Sequence, residues 1–294
     1  PLLLPLIETY SYVFLGGVYE QYAKFVSYLF FIYALILLYY LIKRVASDNF
    51  ALLLTYFLSS VPLYIYSASS GYSDIPLVFY SGLGILYLYQ SAAKNSNNLF
   101  KVGCLLLCLG AWTKKEGLAI LLIGFIYWLL FLKPASGDKL NKIVFFILSV
   151  ILINAPWLIF AKYYGLAGDN IYSLNAIGNY PLVISKIKVI ASFALHSLFD
   201  VNRWNIFWFI FTLALFYKKR HILKEKYLLS VIATYVVILI IVYSICINRD
   251  INWLLVTTFD RIVLVFIPWI IYLIGVLFSG DFSYGYSNQR REGT

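Results

Sequence analysis

YLLSVIATYVVILIIVYSICI, residues Tyr227–Ile247, runs for 21 residues without a single charge. As a helix it rises about 1.5 Å per residue and spans the roughly 30 Å hydrocarbon layer of a bilayer. Immediately before it stand Lys218, Lys219, Arg220, Lys224 and Lys226. A basic cluster beside an apolar span marks the cytoplasmic side, so this one stretch sets both the fold class and the orientation.

The rest of the chain repeats the pattern. Further apolar runs are Leu2–Leu15, Phe25–Ile42, Ala51–Tyr66, Ile75–Tyr89, Val102–Trp112, Leu118–Leu132, Ile143–Phe160, Trp204–Tyr217 and Ile262–Phe278. The chain is 62% hydrophobic and 12% charged, with mean hydropathy +0.84. A soluble domain is about 45–50% apolar and about 25% charged, so a water-soluble globule and a disordered chain are both excluded. The expected fold is all-α. It is a polytopic transmembrane helical bundle with about nine spanning helices and an interfacial or re-entrant N-terminal segment. Ile184–Leu198 adds an outer amphipathic helix with apolar residues at helical spacing. Residues 1–280 read as a single transmembrane domain and 281–294 as a polar cytoplasmic tail. Pro62, Pro156 and Pro268 predict kinks, and Pro76 a helix start.

Alternating the spans from the Lys218–Lys226 loop puts 14 of the 23 Lys and Arg inside, with five acids, and nine outside, with eight acids. The net charge of +10 is therefore mostly an orientation signal and a contact with membrane lipids. The basic residues are scattered over short loops, which argues against a nucleic-acid partner. Cys104, Cys108 and Cys246 fit no zinc spacing and read as buried apolar residues. His196 and His221 fall on opposite sides, so no His-based triad or His metal site assembles; no metal and no cofactor is expected. Pro1 opens the chain inside an apolar segment and Met is absent throughout. This reads as a fragment whose N-terminus is missing.

Charged side chains beside apolar runs are costly unless they pair or line a wet cavity. Four outer groups meet that description. Asp74, in Ser70-Gly71-Tyr72-Ser73-Asp74-Ile75-Pro76-Leu77, is either a helix N-cap or a carboxylate at a cavity mouth. Lys114 and Lys115, in Thr113-Lys114-Lys115-Glu116-Gly117-Leu118, oppose the positive-inside tendency and suit an anionic headgroup such as a phosphate, with Glu116 neutralising one of them. Asp260-Arg261, reached from Asn248-Arg249-Asp250, opens the last helix. Asp260 is its N-cap or a ligand group there, and Arg261 suits bidentate contact with phosphate or carboxylate. Glu8, among Leu2–Ile7, must face protein or water, either paired or at a site.

These residues, in this order, resemble the GT-C superfamily of membrane glycosyltransferases, in the branch of the dolichyl-phosphate-mannose protein mannosyltransferases and the aminoarabinose transferases. The likeness is carried by Pro1-Leu2-Leu3-Leu4-Pro5-Leu6 with Glu8 and Phe14-Leu15-Gly16, by the Gly71–Leu77 and Thr113–Leu118 motifs, and by Asp260-Arg261. The resemblance implies transfer of a sugar from a polyprenyl-phosphate donor to a glycan, lipid or protein acceptor at the extracytoplasmic face of the plasma (inner) membrane. It makes Glu8, Tyr72, Asp74, Lys114, Lys115, Glu116, Asp260 and Arg261 the candidate substrate-binding residues. It also implies that the general base lies in a first external loop upstream of Pro1, so the fragment alone is expected to be inactive. A lipid-linked substrate transporter or flippase is the alternative; it would favour ionisable groups near the bilayer midplane.

Overall fold

A computed structural model describes residues 3–132, 139–166, 180–217, 225–246 and 250–279. Among these residues the protein is all-helical, without strands. In chain order the helices are α1 (Leu3–Leu15), α2 (Glu20–Lys43), α3 (Asp48–Ser59), α4 (Pro62–Ser69), α5 (Asp74–Leu77), α6 (Leu83–Ala93), α7 (Asn97–Thr113) and α8 (Lys115–Phe131). They continue with α9 (Lys139–Tyr163), α10 (Tyr180–Leu198), α11 (Val201–Trp204), α12 (Phe207–Tyr217), α13 (Lys226–Ser244), α14 (Ile251–Val263) and α15 (Ile267–Ser279).

Among the described residues, five stretches are long and apolar enough to cross a membrane: Glu20–Lys43, Asp74–Ala93, Lys139–Tyr163, Lys226–Ser244 and Ile251–Phe278. A sixth forms if α3 and α4, which meet at 64°, act as one broken span. Among the described residues, length and composition support five or six of the about nine spans expected. The other apolar runs fold as shorter helices. The Val102–Trp112 and Leu118–Leu132 runs become α7 and α8, each 17 residues, or about 25 Å at 1.5 Å per residue. The Trp204–Tyr217 run is split between α11 and an 11-residue α12.

The prolines behave differently from one another. Pro62 occupies the first turn of α4, so it begins a new helix after a break. Pro156 lies inside α9. Pro268 follows a 3-10 turn, Leu264–Phe266, that joins α14 to α15. After α5 comes a feature the sequence does not announce, a π turn at Val78–Gly82. The indole of Trp269 donates to the Gly82 carbonyl at 2.9 Å, tying the end of this turn to α15.

Packing is centred on α7, which lies against α6, α8 and α9. Small residues let these backbones approach closely, as in other membrane bundles. A methyl group at Gly110 would fall 2.2 Å from the Ser81 hydroxyl, and one at Gly117 would fall 2.1 Å from the Gly110 carbonyl oxygen. The Leu264–Leu277 stretch is almost wholly buried and forms the central post. At the end of α6, the buried Gln90 amide donates to the Leu41 carbonyl (2.9 Å) and to the Tyr272 hydroxyl (3.1 Å), while Arg44 donates to its oxygen (3.0 Å). That network ties α2, α6 and α15 together. The three cysteines are free and buried.

The expected amphipathic helix is present as α10. Ile190 and Ser197 are buried, and the helix lies against α13 and α14. Lys186 donates to the carbonyls of Ser244 (3.3 Å) and Cys246. It thus meets the open carbonyls at the end of α13, where a cation is favoured. The polar tail at 281–294 and the basic residues Lys218, Lys219, Arg220 and Lys224 lie outside the described residues.

Candidate functional site: an ion network on Asp74

The Ser70–Leu77 segment turns because Gly71 adopts φ +75°, a left-handed conformation that a residue with a Cβ rarely takes. A side chain there would also meet Lys24 Cγ at 2.8 Å. The turn starts α5 at Asp74 itself. The N-cap is Ser73, which makes no side-chain cap bond. Asp74 therefore does not cap the helix: its carboxylate points inward and is 1% exposed.

Two cations meet it there. Lys114 Nζ lies 2.8 Å from Asp74 Oδ1, and Arg261 Nε lies 2.7 Å from Oδ2. Lys114 is held in an extended conformation between α7 and α8. Its amide donates to the Gly110 carbonyl (3.2 Å), and its carbonyl accepts from Gly117 (3.0 Å). The close contact of Gly117 with Gly110 makes this turn tight, which aims the lysine at Asp74. Glu116 adds a looser contact to Lys114 at 3.5 Å. Tyr72 lies under the guanidinium, 4.4 Å from ring centroid to Arg261 Cζ, a cation–π contact. Arg261 meets Asp74 through Nε, and its terminal amino groups have no hydrogen-bond or ion-pair partner among the described residues. Its side chain is 36% exposed.

Arg261 reaches this point from the third turn of α14, not from its start. The helix begins ten residues earlier, where Asp250 caps it by accepting from the Trp253 amide at 3.0 Å. The expectation that Asp260-Arg261 opens the last helix is thereby corrected: the apolar run from Ile262 hid an amphipathic turn before it. Successive residues on a helix point about 100° apart. Asp260 accordingly faces away from Asp74, towards α10 and α11. It accepts from the Ser197 hydroxyl and from Arg203 Nη1. Arg203 Nε also contacts Asp200 Oδ2 at 3.1 Å, and Asp200 caps α11 by accepting from the Asn202 amide at 3.0 Å.

Of the candidates read from the sequence, Tyr72, Asp74, Lys114, Glu116 and Arg261 converge. Asp260 joins them through the helix backbone only. Lys115 is exposed and has no ion pair among the described residues. Glu8 is half-buried on α1, also without an ion pair among the described residues, and burial pushes its carboxyl above the ordinary range. Asn248 and Arg249 lie outside the described residues. Sequence reasoning missed Ser197, Asp200 and Arg203. The Asp200–Arg203 spacing of three is a local helical signal, but nothing local ties Arg203 to Asp260, 57 residues away. No group of three or more His, Cys, Asp or Glu suited to a metal ion occurs among the described residues.

An apolar cavity of about 290 Å³ is walled by α10, α12, α13 and α14 through α15. Leu198 and Phe259, which line it, are the chain neighbours of Ser197 and Asp260.

No curated protein and no solved structure matches this chain significantly. The family model of the dolichyl-phosphate-mannose-protein mannosyltransferases matches residues 1–160. That match spans more than half of the chain and takes in the motifs that carry Asp74 and Lys114. The buried ionic site is thus part of an integral membrane protein of the glycosyltransferase class, and the chain belongs to the dolichyl-phosphate-mannose-protein mannosyltransferase family of GT-C enzymes.

Proposed function

We propose that the protein transfers a sugar from a polyprenyl-phosphate donor to an acceptor hydroxyl at the extracytoplasmic face of the membrane. The observation that carries this reading is the pairing of two cations on one buried carboxylate. Asp74 holds Lys114 and Arg261 side by side, and the outer edge of the guanidinium is left for a ligand. An arginine fork with a lysine beside it suits a phosphate oxygen pair. The isoprenoid tail needs apolar surface, and the cavity walled by α10, α12, α13 and α14, across α14 from Arg261, is one such seat, the remainder of the tail lying in lipid.

The chemistry follows from that placement. The acceptor oxygen forms a bond to the anomeric carbon of the sugar. The bond from that carbon to the phosphate oxygen breaks, and its electron pair leaves with the polyprenyl phosphate. The donor is a monoanion and the departing phosphate gains a second negative charge, so cations fixed beside it favour the transition state over the ground state. The acceptor proton passes to a carboxylate acting as general base. Glu116 orients Lys114, and Tyr72 orients Arg261. Replacing Lys114 or Arg261 by Ala in the full-length protein is expected to lower transfer from radiolabelled polyprenyl-phosphate mannose by about 100-fold, the scale for loss of one preorganised electrostatic contact. Lys115→Ala is expected to cost less, because that side chain is exposed. Undiminished transfer in both Lys114→Ala and Arg261→Ala overturns the reading.

A further inference from the structure

Seven charged side chains alternate in sign across the site: Asp200, Arg203, Asp260, Arg261, Asp74, Lys114 and Glu116. All links are ion pairs except one, Asp260 to Arg261, which is the backbone of α14. Asp74 joins two cations, and Arg203 mirrors it by joining two carboxylates. From this pattern we infer that Arg203 is the remote charge-setting residue of the phosphate seat. It acts through Asp260 and does not touch the ligand.

Asp260 is buried, so its field is screened by water much less than that of a surface acid. It stands one residue from Arg261, which the reading above makes a phosphate contact, and this inference rests on that reading. With Arg203 in place the Asp260 carboxylate is matched. Without Arg203 the Ser197 hydroxyl still donates to it, but no cation does, and an uncompensated negative charge lies beside the seat of an anion. Like charges in a site of restricted solvent access repel strongly. Arg203 thus tunes the affinity of a site it does not enter, while sitting on α11, between α10 and α12.

A purely structural ion pair and a charge-setting one differ in one observable. If the pair only holds helices together, removing both members is no better than removing one. If Arg203 cancels Asp260, then deleting the second charge repairs the loss of the first. The probe is farnesyl phosphate, binding to the full-length protein in nanodiscs, with farnesol as the uncharged control. Arg203→Ala is expected to weaken farnesyl phosphate binding about tenfold, the size of one uncompensated charge near a partly buried site. Arg203→Lys, which keeps the charge, and the double variant Arg203→Ala/Asp260→Asn are each expected to return to within about threefold of the parent. Farnesol binding should be the same in all of them, which shows that the apolar seat and the fold survive. If the double variant binds farnesyl phosphate as poorly as Arg203→Ala, or if Arg203→Ala binds as well as the parent, the inference is overturned. Arg261→Ala separates the two levels. Loss of binding there with no repair in the double variant sinks only the role of Arg203. Intact binding in Arg261→Ala removes the phosphate reading, and the role of Arg203 with it.

Discussion

Gly117→Ala is expected to cost at least about 3 kcal/mol and to abolish transfer, a larger effect than overpacking usually produces in a core. The reason is the identity of the obstacle. The added methyl would lie 2.1 Å from the Gly110 carbonyl oxygen and 2.4 Å from its carbon, both backbone atoms that no rotamer change can move. Relief requires α7 and α8 to separate at the turn that carries Lys114. Stability and function should therefore fall together, seen as a lower midpoint in detergent denaturation and loss of polyprenyl phosphate binding. Leu118→Ala, one residue on and exposed, is the matched control and should change little. A Gly117→Ala protein with parental stability would mean that the two helices are not in contact at Gly110.

Removing the carboxylate of Asp74 is the second large effect. Breaking a buried ion pair by deleting one partner typically costs 3–5 kcal/mol, and because Lys114 and Arg261 are partly exposed the lower end, about 3 kcal/mol, applies here. Asp74→Asn separates charge from shape. The amide occupies the same space and still accepts a hydrogen bond, yet two cations then face each other without a counter-charge between them, Glu116 reaching Lys114 alone. Asp74→Asn is expected to lose most of the stability that Asp74→Ala loses. It should recover part of it on addition of millimolar inorganic phosphate, an anion that can take the vacant place between the cations. No recovery, together with parental stability of Asp74→Asn, would show that the Lys114 and Arg261 contacts contribute nothing to the fold.

The membrane class and most helix positions were legible in the sequence because lipid imposes one strong constraint, an uninterrupted apolar stretch with satisfied backbone bonds. Tyr227–Ile247 and Ile143–Phe160 became α13 and α9 within a few residues. The count of spans was less legible. Hydropathy does not see that the Ala51–Tyr66 run folds as two helices, one ending at Ser59 and the next beginning at Pro62. The start of the last span was misplaced because Ile251–Val263 is amphipathic, with Asp260 and Arg261 in its last turn, and a charge in an apolar pattern resembles an end. Asp74, Lys114 and Arg261 stood out individually, since each is an ionic group beside an apolar run. Their meeting on one carboxylate is a fact of tertiary packing, as is the pairing of Arg203 with Asp260.

The π turn at Val78–Gly82 gives the helix around it two independent phases. One added residue per turn rotates everything upstream by about 100° relative to everything downstream. The half after the turn is free to follow the demands of packing, Gly84 against Leu107 and Gln90 against Tyr272. The half before it answers to a different requirement, that one carboxylate look at Lys114 and Arg261. A regular α-helix of the same sequence would have to choose between the two, so a single surplus residue lets an ordinary lipid-spanning rod carry a chemically oriented tip.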